Sequence, residues 1–330
     1  MNPKSLFRSV TAAVALSILA LPVFAAKDGA LSLVPTNAAT VGVVKLRDMR
    51  TSPLSSILFQ HTDKMSADGE AHKFLTDAGL SLSKDVDVLV VATIPRTNLG
   101  SEADIVVLVE GRFQPERLTS ALLSRGAVKK NNYIVMPEKN HDGETGAVAF
   151  PSASLTIAGT ERAVVAALAA RANGGTGFPA GSGIGMELHR VDSNATAWAL
   201  VDVVRAARLT KGGTVATGKG QSGDALAAAI KSVSTLAVWA TDSGDQLKLG
   251  AFGVSGDAET LGLLEDTVRG ALSALRLAVK DKAPEMVSVL RRFNVARTSD
   301  TVTITGSIPA STLRELAAKA KASHAASATK

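Results

Sequence analysis

The stretch GTVATGK, Gly213 to Lys219, fills the first seven positions of a phosphate-binding loop. Such a loop needs a Ser or Thr next, to hold magnesium, and an apolar strand before it. Here Gly220 follows and no apolar strand leads in, so the match reads as glycine-rich chain. Gly181, Gly183 and Gly185 imitate part of a dinucleotide fingerprint without its third spacing or the strand and helix that should flank it. Ser222 sits in GQSGD, one residue short of a nucleophile elbow, because Asp224 stands where glycine belongs.

Metal chemistry would need clustered donors. The five histidines are His61, His72, His141, His189 and His324, and none pairs at a ligand spacing such as H-x-x-x-H. Glu138, His141, Asp142 and Glu144 gather within seven residues and are suitable donors for a divalent cation. They lie between two apolar runs, so they read as a solvated hairpin turn. His61, Asp63 and His72 fall on a polar stretch that reads as an exposed face or loop. Asp257, Glu259, Glu265 and Asp266 read as helix-capping and solvent-face charges rather than paired catalytic carboxylates. No catalytic residue, cofactor-binding residue or metal ligand is assigned, and no cofactor is expected.

The elements that would position any site are more legible. Lys4 and Arg8 precede an apolar run from Val10 to about Leu21, and Val23-Phe24-Ala25 offers small residues for cleavage. This is the pattern of a secretory leader, residues 1–25, with cleavage expected after Ala25. The run is shorter than the roughly 20 apolar residues of a membrane span, so no span is expected after cleavage. The chain has no cysteine. That removes disulfides, thiol nucleophiles and a lipid attachment point, and the expected location is periplasmic or secreted. Asn194-Ala195-Thr196 fits a glycosylation acceptor, a match common by chance.

Removing the leader leaves 305 residues, and the net charge falls from +6 to +4. No basic block is present, so nucleic acid is not implied. With one Tyr and two Trp, the chain lacks the aromatic platforms that single-stranded nucleic acid requires. Apolar residues make up 46% of the chain, which favours a packed core over disorder.

The chain also repeats itself. A turn at Asn37 recurs at Asn194, 157 residues on. The strand from Val86 recurs from Val233 after 147 residues, and Gly111 recurs as Gly256 after 145. SLTIAGT, from Ser154, recurs as TVTITGS, from Thr301, again after 147 residues. Each unit reads as β-α-β-β-α-β-β-α, with some loss in the second copy, and closes on an alanine-rich helix. The expected class is α+β, with two similar halves, each a mostly antiparallel sheet with helices packed on one face. The expected divisions are a first repeat at 31–171, a Gly-rich linker at 172–187, a second repeat at 188–321 and a disordered tail at 322–330.

Three motifs carry a resemblance. Pro35 to Ala38, Gly79-Leu80 to Asp87, and Gly111 to Leu118 with Phe113 and Pro115 resemble an uncharacterised exported bacterial family, a domain of unknown function. The resemblance spans roughly Leu31 to Arg171 and is weaker in the second copy, where Phe113 and Pro115 have no counterpart. It implies export and fold, and offers no catalytic residue to transfer. Two readings of function remain. One is an exported non-enzymatic binding or interaction protein using a groove between the halves, its partner an unknown protein or small ligand. The other is a periplasmic hydrolase with an unrecognised Ser/His/Asp site.

Overall fold

A computed structural model describes residues 29–52, 54–55, 76–97, 102–139, 143–176, 178–179, 183–209, 228–281, 283–315 and 318. The expected leader with its Ala25 cleavage point and the 322–330 tail lie outside these residues. In chain order, the 3-10 turn η1 (Ala30–Leu33) precedes β1 (Thr40–Val44) and helix α1 (Leu46–Arg50). Helix α2 (Leu82–Asp85) leads into the hairpin β2 (Val86–Pro95) and β3 (Ala103–Gly111), followed by α3 (Pro115–Leu123). Next come β4 (Val128–Lys130), β5 (Tyr133–Lys139), β6 (Thr145–Ser152), β7 (Leu155–Thr160) and α4 (Glu161–Ala172). A second 3-10 segment, η2 (Gly183–Arg190), precedes β8 (Ala197–Asp202) and α5 (Val203–Leu209). The chain continues through β9 (Thr235–Asp242), β10 (Gln246–Val254), α6 (Ala258–Val279), α7 (Pro284–Leu290), β11 (Asn294–Arg297) and β12 (Thr301–Pro309).

The class is α+β, and every neighbouring strand pair is antiparallel. The two halves do not form separate sheets. All twelve strands make one sheet in the order β11-β12-β10-β9-β8-β1-β2-β3-β7-β6-β5-β4. The seam between halves is β1 on β8, where Val43 faces Trp198 and Val41 faces Leu200. From that seam the order runs outward as β1, β2, β3, β7, β6 on one side and β8, β9, β10, β12, β11 on the other. In each half a hairpin leads off from the seam strand, and the half's last strand returns beside the hairpin.

Helices were expected on one face of each sheet; they divide between two. In the first half, Ile157 of β7 lies in one cluster with Ala163, Val164 and Ala167 of α4. Leu122 of α3 instead packs with Ile134 and against Val148 and Phe150. Val148 pairs with Ala158, next to Ile157, so it points the opposite way. Helix α6 covers the same face as α3: Leu261, Leu264 and Val268 cluster with Val295 and Val302. The reason is in the strands. Along β2, Val86, Val88, Val90 and Ala92 are buried on one face while Leu89 and Val91 are half-buried on the other. Strands apolar on both faces need cover on both.

Two strand ends have local causes. β1 stops at Val44, because Leu46 opens α1. β8 ends at Asp202, whose carboxylate accepts the backbone N–H of Arg205 at 2.8 Å as α5 begins. Within 172–187, Phe178 is 3% exposed and Ile184 is buried, both in the central core cluster. These two residues anchor the glycine-rich connection in the core, while Asn173, Gly174 and Met186 are exposed. Gly159 is the penultimate residue of β7, whereas Gly306 lies inside β12. The ring of Phe293 covers Gly306 so closely that an added Cβ would lie 2.5 Å from it.

Candidate functional site

Most of the residues that suggested chemistry fall outside the described part of the chain. These are Gly213 to Lys219, Ser222, Asp224, His61, Asp63, His72, His141, Asp142 and His324. His189 is exposed on η2, its Nδ1 2.6 Å from the carbonyl of Met186. Asp257 caps α6, accepting the N–H of Thr260 at 2.8 Å, and the hydrogen bonds from Thr260 hold its pKa below the usual carboxylate range. Glu265 pairs with Arg269 at 2.8 Å and with Arg297 at 3.3 Å. Among the described residues, no group of three or more His, Asp or Glu is placed to hold a metal ion.

Glu144, expected in a solvated turn, belongs instead to a charged knot at the end of the β2–β3 hairpin. Arg96 donates to Glu144 at 2.8 Å, to Glu102 at 3.1 Å and to Asp104 at 3.0 Å. Thr160 donates to the same Asp104 oxygen at 2.9 Å, and Arg162 approaches its other oxygen at 3.4 Å. Burial works against the Arg96 charge, but the hydrogen bonds to Glu144, Asp104 and Glu102 outweigh it and its pKa is raised. The knot ties β2, β3, β6 and the start of α4 together. Each of its acids is held in an ion pair with Arg96.

Two of the three resemblance motifs meet at a shallow cleft of about 230 Å³ that includes Gly79, Leu80, Asp85, Arg112 and Phe113. Each motif residue there has a fold-building task. Gly111 passes so close to α2 that a Cβ would lie 2.0 Å from the carbonyl oxygen of Asp85. Phe113 is buried with Ala78 and Leu118. Pro115 opens α3, where a missing N–H costs nothing. Asp85 accepts the N–H of Ser81 at 2.8 Å, and Asp87 pairs with Arg50 at 2.6 Å. The motifs therefore shape a strand-to-helix turn and do not assemble reactive groups.

The most site-like surface is one that sequence reading missed. Strand registers align Ala158, Val107, Val91, Gly42, Ala199, Val238 and Ala251 in one cross-strand row. The row continues to Val148 and Ile134 under α3 and to Ile304 and Val295 beside α6. Between these two helical banks it forms an apolar floor. Its residues are half-buried, and Val238 is 47% exposed. At about 4.8 Å per strand, the seven central positions span about 29 Å. The floor carries no charged or hydrogen-bonding side chain, so what it can do is bury an elongated apolar surface.

No protein-family model and no curated sequence matches the chain. Among solved structures, the chain is similar to TP0453 in its crystal form I, with a TM-score of 0.46 and 8% identity, covering 89% of this chain and 99% of that one. Crystal form IV of TP0453 gives a TM-score of 0.44 and 11% identity, covering 87% of this chain and 96% of that one. Likeness at this level carries no argument about activity. Among the described residues, no helix is long and apolar enough to cross a membrane.

Proposed function

We propose that the chain is an exported, non-enzymatic binding protein and that its binding surface is the apolar row from Ala158 to Ala251. The row itself carries the reading: adjacent apolar positions on seven strands, with Val238 among them 47% exposed. We further propose that the halves descend from one duplicated unit, 31–171 and 188–321, so that the trough straddles a pseudo-twofold axis. Two observations support this. The outward strand order is the same on both sides of the seam. Paired row positions also repeat the sequence offsets, Gly42 with Ala199 at 157 and Val91 with Val238 at 147.

The test uses the purified chain and the apolar fluorophore Nile red. Saturable binding is expected, lost in Val238→Asp and kept in Lys248→Asp, which lies on the opposite face of β10. Equal binding by both variants would overturn the trough as the surface. Turnover of ester or peptide substrates abolished by a single Ser→Ala change would overturn the non-enzymatic reading in favour of a hydrolase. Export predicts a periplasmic or secreted product beginning at Ala26, read by N-terminal sequencing.

A further inference from the structure

Helix α6 has two faces, and only one is explained. Leu261, Leu264 and Val268 pack on the sheet. The opposite, outermost line carries Leu263, Gly270 and Leu277, seven residues apart in each step. Leu263 is 62% exposed and Leu277 is 73% exposed. Leucines at the most solvent-facing positions of an amphipathic helix reverse the usual pattern.

The glycine between them is as unexpected. Gly in a helix interior is destabilising relative to Ala by about 1 kcal/mol. At Gly111 and Gly306 the structure supplies a reason, since a Cβ would collide with chain already there. At Gly270 a Cβ would meet nothing within 4 Å. Ala274 beside it on the same line is also small and exposed. The bare backbone serves no contact within the chain, but it does admit a second backbone from outside.

The spacing says which one. Leu263 and Leu277 are equidistant from Gly270, so the line reads the same in both directions. A twofold interface requires a patch that complements itself under reversal. We propose that α6 is a homodimer surface, in which two copies pair antiparallel and cross at Gly270. Leu263 of one copy packs beside Leu277 of the other, and the close approach at Gly270 lets these side chains reach. Antiparallel pairing also sets the helix dipoles in opposition, the favourable arrangement.

The chain has no cysteine, so single cysteines report the geometry. In the full chain under mild copper-phenanthroline oxidation, Gly270→Cys is expected to cross-link to itself as a disulfide dimer. Leu263→Cys and Leu277→Cys are each expected to cross-link poorly alone, because like positions lie about 21 Å apart along the axis. Mixed together, those two should form the heterodimer. Ala153→Cys, exposed in the β6–β7 turn, sets the background. Sedimentation velocity should show the unmodified chain as a dimer and Leu263→Asp/Leu277→Asp as a monomer with an unchanged circular dichroism spectrum. A monomer at all concentrations, or Gly270→Cys at the Ala153→Cys background, overturns the proposal, as does strong self-cross-linking at Leu263→Cys. Binding of the unmodified monomer to phospholipid vesicles or to another protein through these leucines would overturn it too. None of these outcomes depends on whether the trough binds Nile red.

Discussion

The two sides of the β1/β8 seam solve one packing problem in different ways. Both start with a seam strand, a hairpin and a returning last strand. Beyond β6 the first side adds β5, against which the nine-residue α3 packs, and an exposed β4. The second side stops at β11 and lays the 22-residue α6 and then α7 over its outer strands. On the other face, α4 covers β7 and β6, while the corresponding strands β12 and β11 present Thr303, Thr305, Asn294 and Ala296. Thr305, Asn294 and Ala296 are exposed. The first side is thus packed on both faces and the second chiefly on one. A shared strand order fixes where the core can be, and side-chain composition decides how much of it is built.

The largest effect should come from breaking what the sides share. Trp198 is 1% exposed at the seam, facing Val43 on β1 and Trp239 on β9. Trp198→Ala should cost about 3–5 kcal/mol. It also leaves Trp239 as the only tryptophan, an optical probe of the second side. Urea unfolding followed by Trp239 fluorescence and by far-UV circular dichroism should give one coincident transition. Separate transitions would mean that the sides fold independently despite the shared sheet.

The next test compares the sides through one isoleucine in each returning strand. Ile157 and Ile304 lie 147 residues apart in the returning strands β7 and β12, but on opposite faces of the sheet, Ile304 being in the apolar row and Ile157 behind it. Ile157 is 0% exposed beneath α4, whereas Ile304 is only half-buried beside α6. Ile157→Ala should cost about 2–5 kcal/mol and Ile304→Ala clearly less, because the cost grows with the cavity left. Equal losses in denaturant midpoint would refute the claim that the second side is more thinly packed.

These contrasts also show what the sequence could and could not reveal. Strands were readable because residues such as Val86, Val88 and Val90 alternate with a different environment, and the helix at 258–279 because Leu261, Leu264 and Val268 keep helical spacing. The Asp257 cap was readable from its position. The apolar row was not, because it exists only after eleven strands take register, and Gly42 or Ala199 carries no local sign of a floor. The one-face expectation failed on the hairpin strands, where Leu89 and Val91 oppose Val88 and Val90 and so demand cover twice. Glu144 looked like turn polarity because its partner Arg96 is 48 residues away. Phe178 looked like linker because glycines surround it, although its ring is in the core.

Helix starts give a smaller contrast. Asp257 caps α6 with its side chain, while Gln114 before α3 makes no side-chain cap. Asp257→Ala should lower the thermal midpoint measurably, as loss of a side-chain N-cap does. Gln114→Ala should change the thermal midpoint much less. A larger loss at Gln114 would mean that α3 depends on that side chain for something other than capping.

The smallest effect is electrostatic, and the pH range over which it acts differs between the sides. On the first side, Glu161 accepts from Lys130 and from Tyr133 at 2.8 Å. Those hydrogen bonds, Lys130 foremost, lower the Glu161 pKa, and the bond to Glu161 raises that of Lys130. On the second side, Asp300 accepts from Arg190 at 2.6 Å, and this bond, helped by Thr301 and Thr298, lowers its pKa. A carboxylate with a lowered folded pKa contributes stability above its unfolded pKa and loses it as pH falls through the folded value. Both sides should therefore weaken in acid. A lysine with a raised folded pKa contributes below its unfolded pKa and loses that contribution as pH rises through the folded value. Of these two pairs the first alone has one, since the guanidinium of Arg190 stays charged throughout. Glu161→Gln should flatten both the acid and the alkaline limbs of the thermal midpoint against pH, and Asp300→Asn only the acid limb. The changes will be small because both pairs are solvent-accessible and salt-screened. An alkaline limb altered equally by both substitutions would show that Lys130 is not the group whose proton the first side holds.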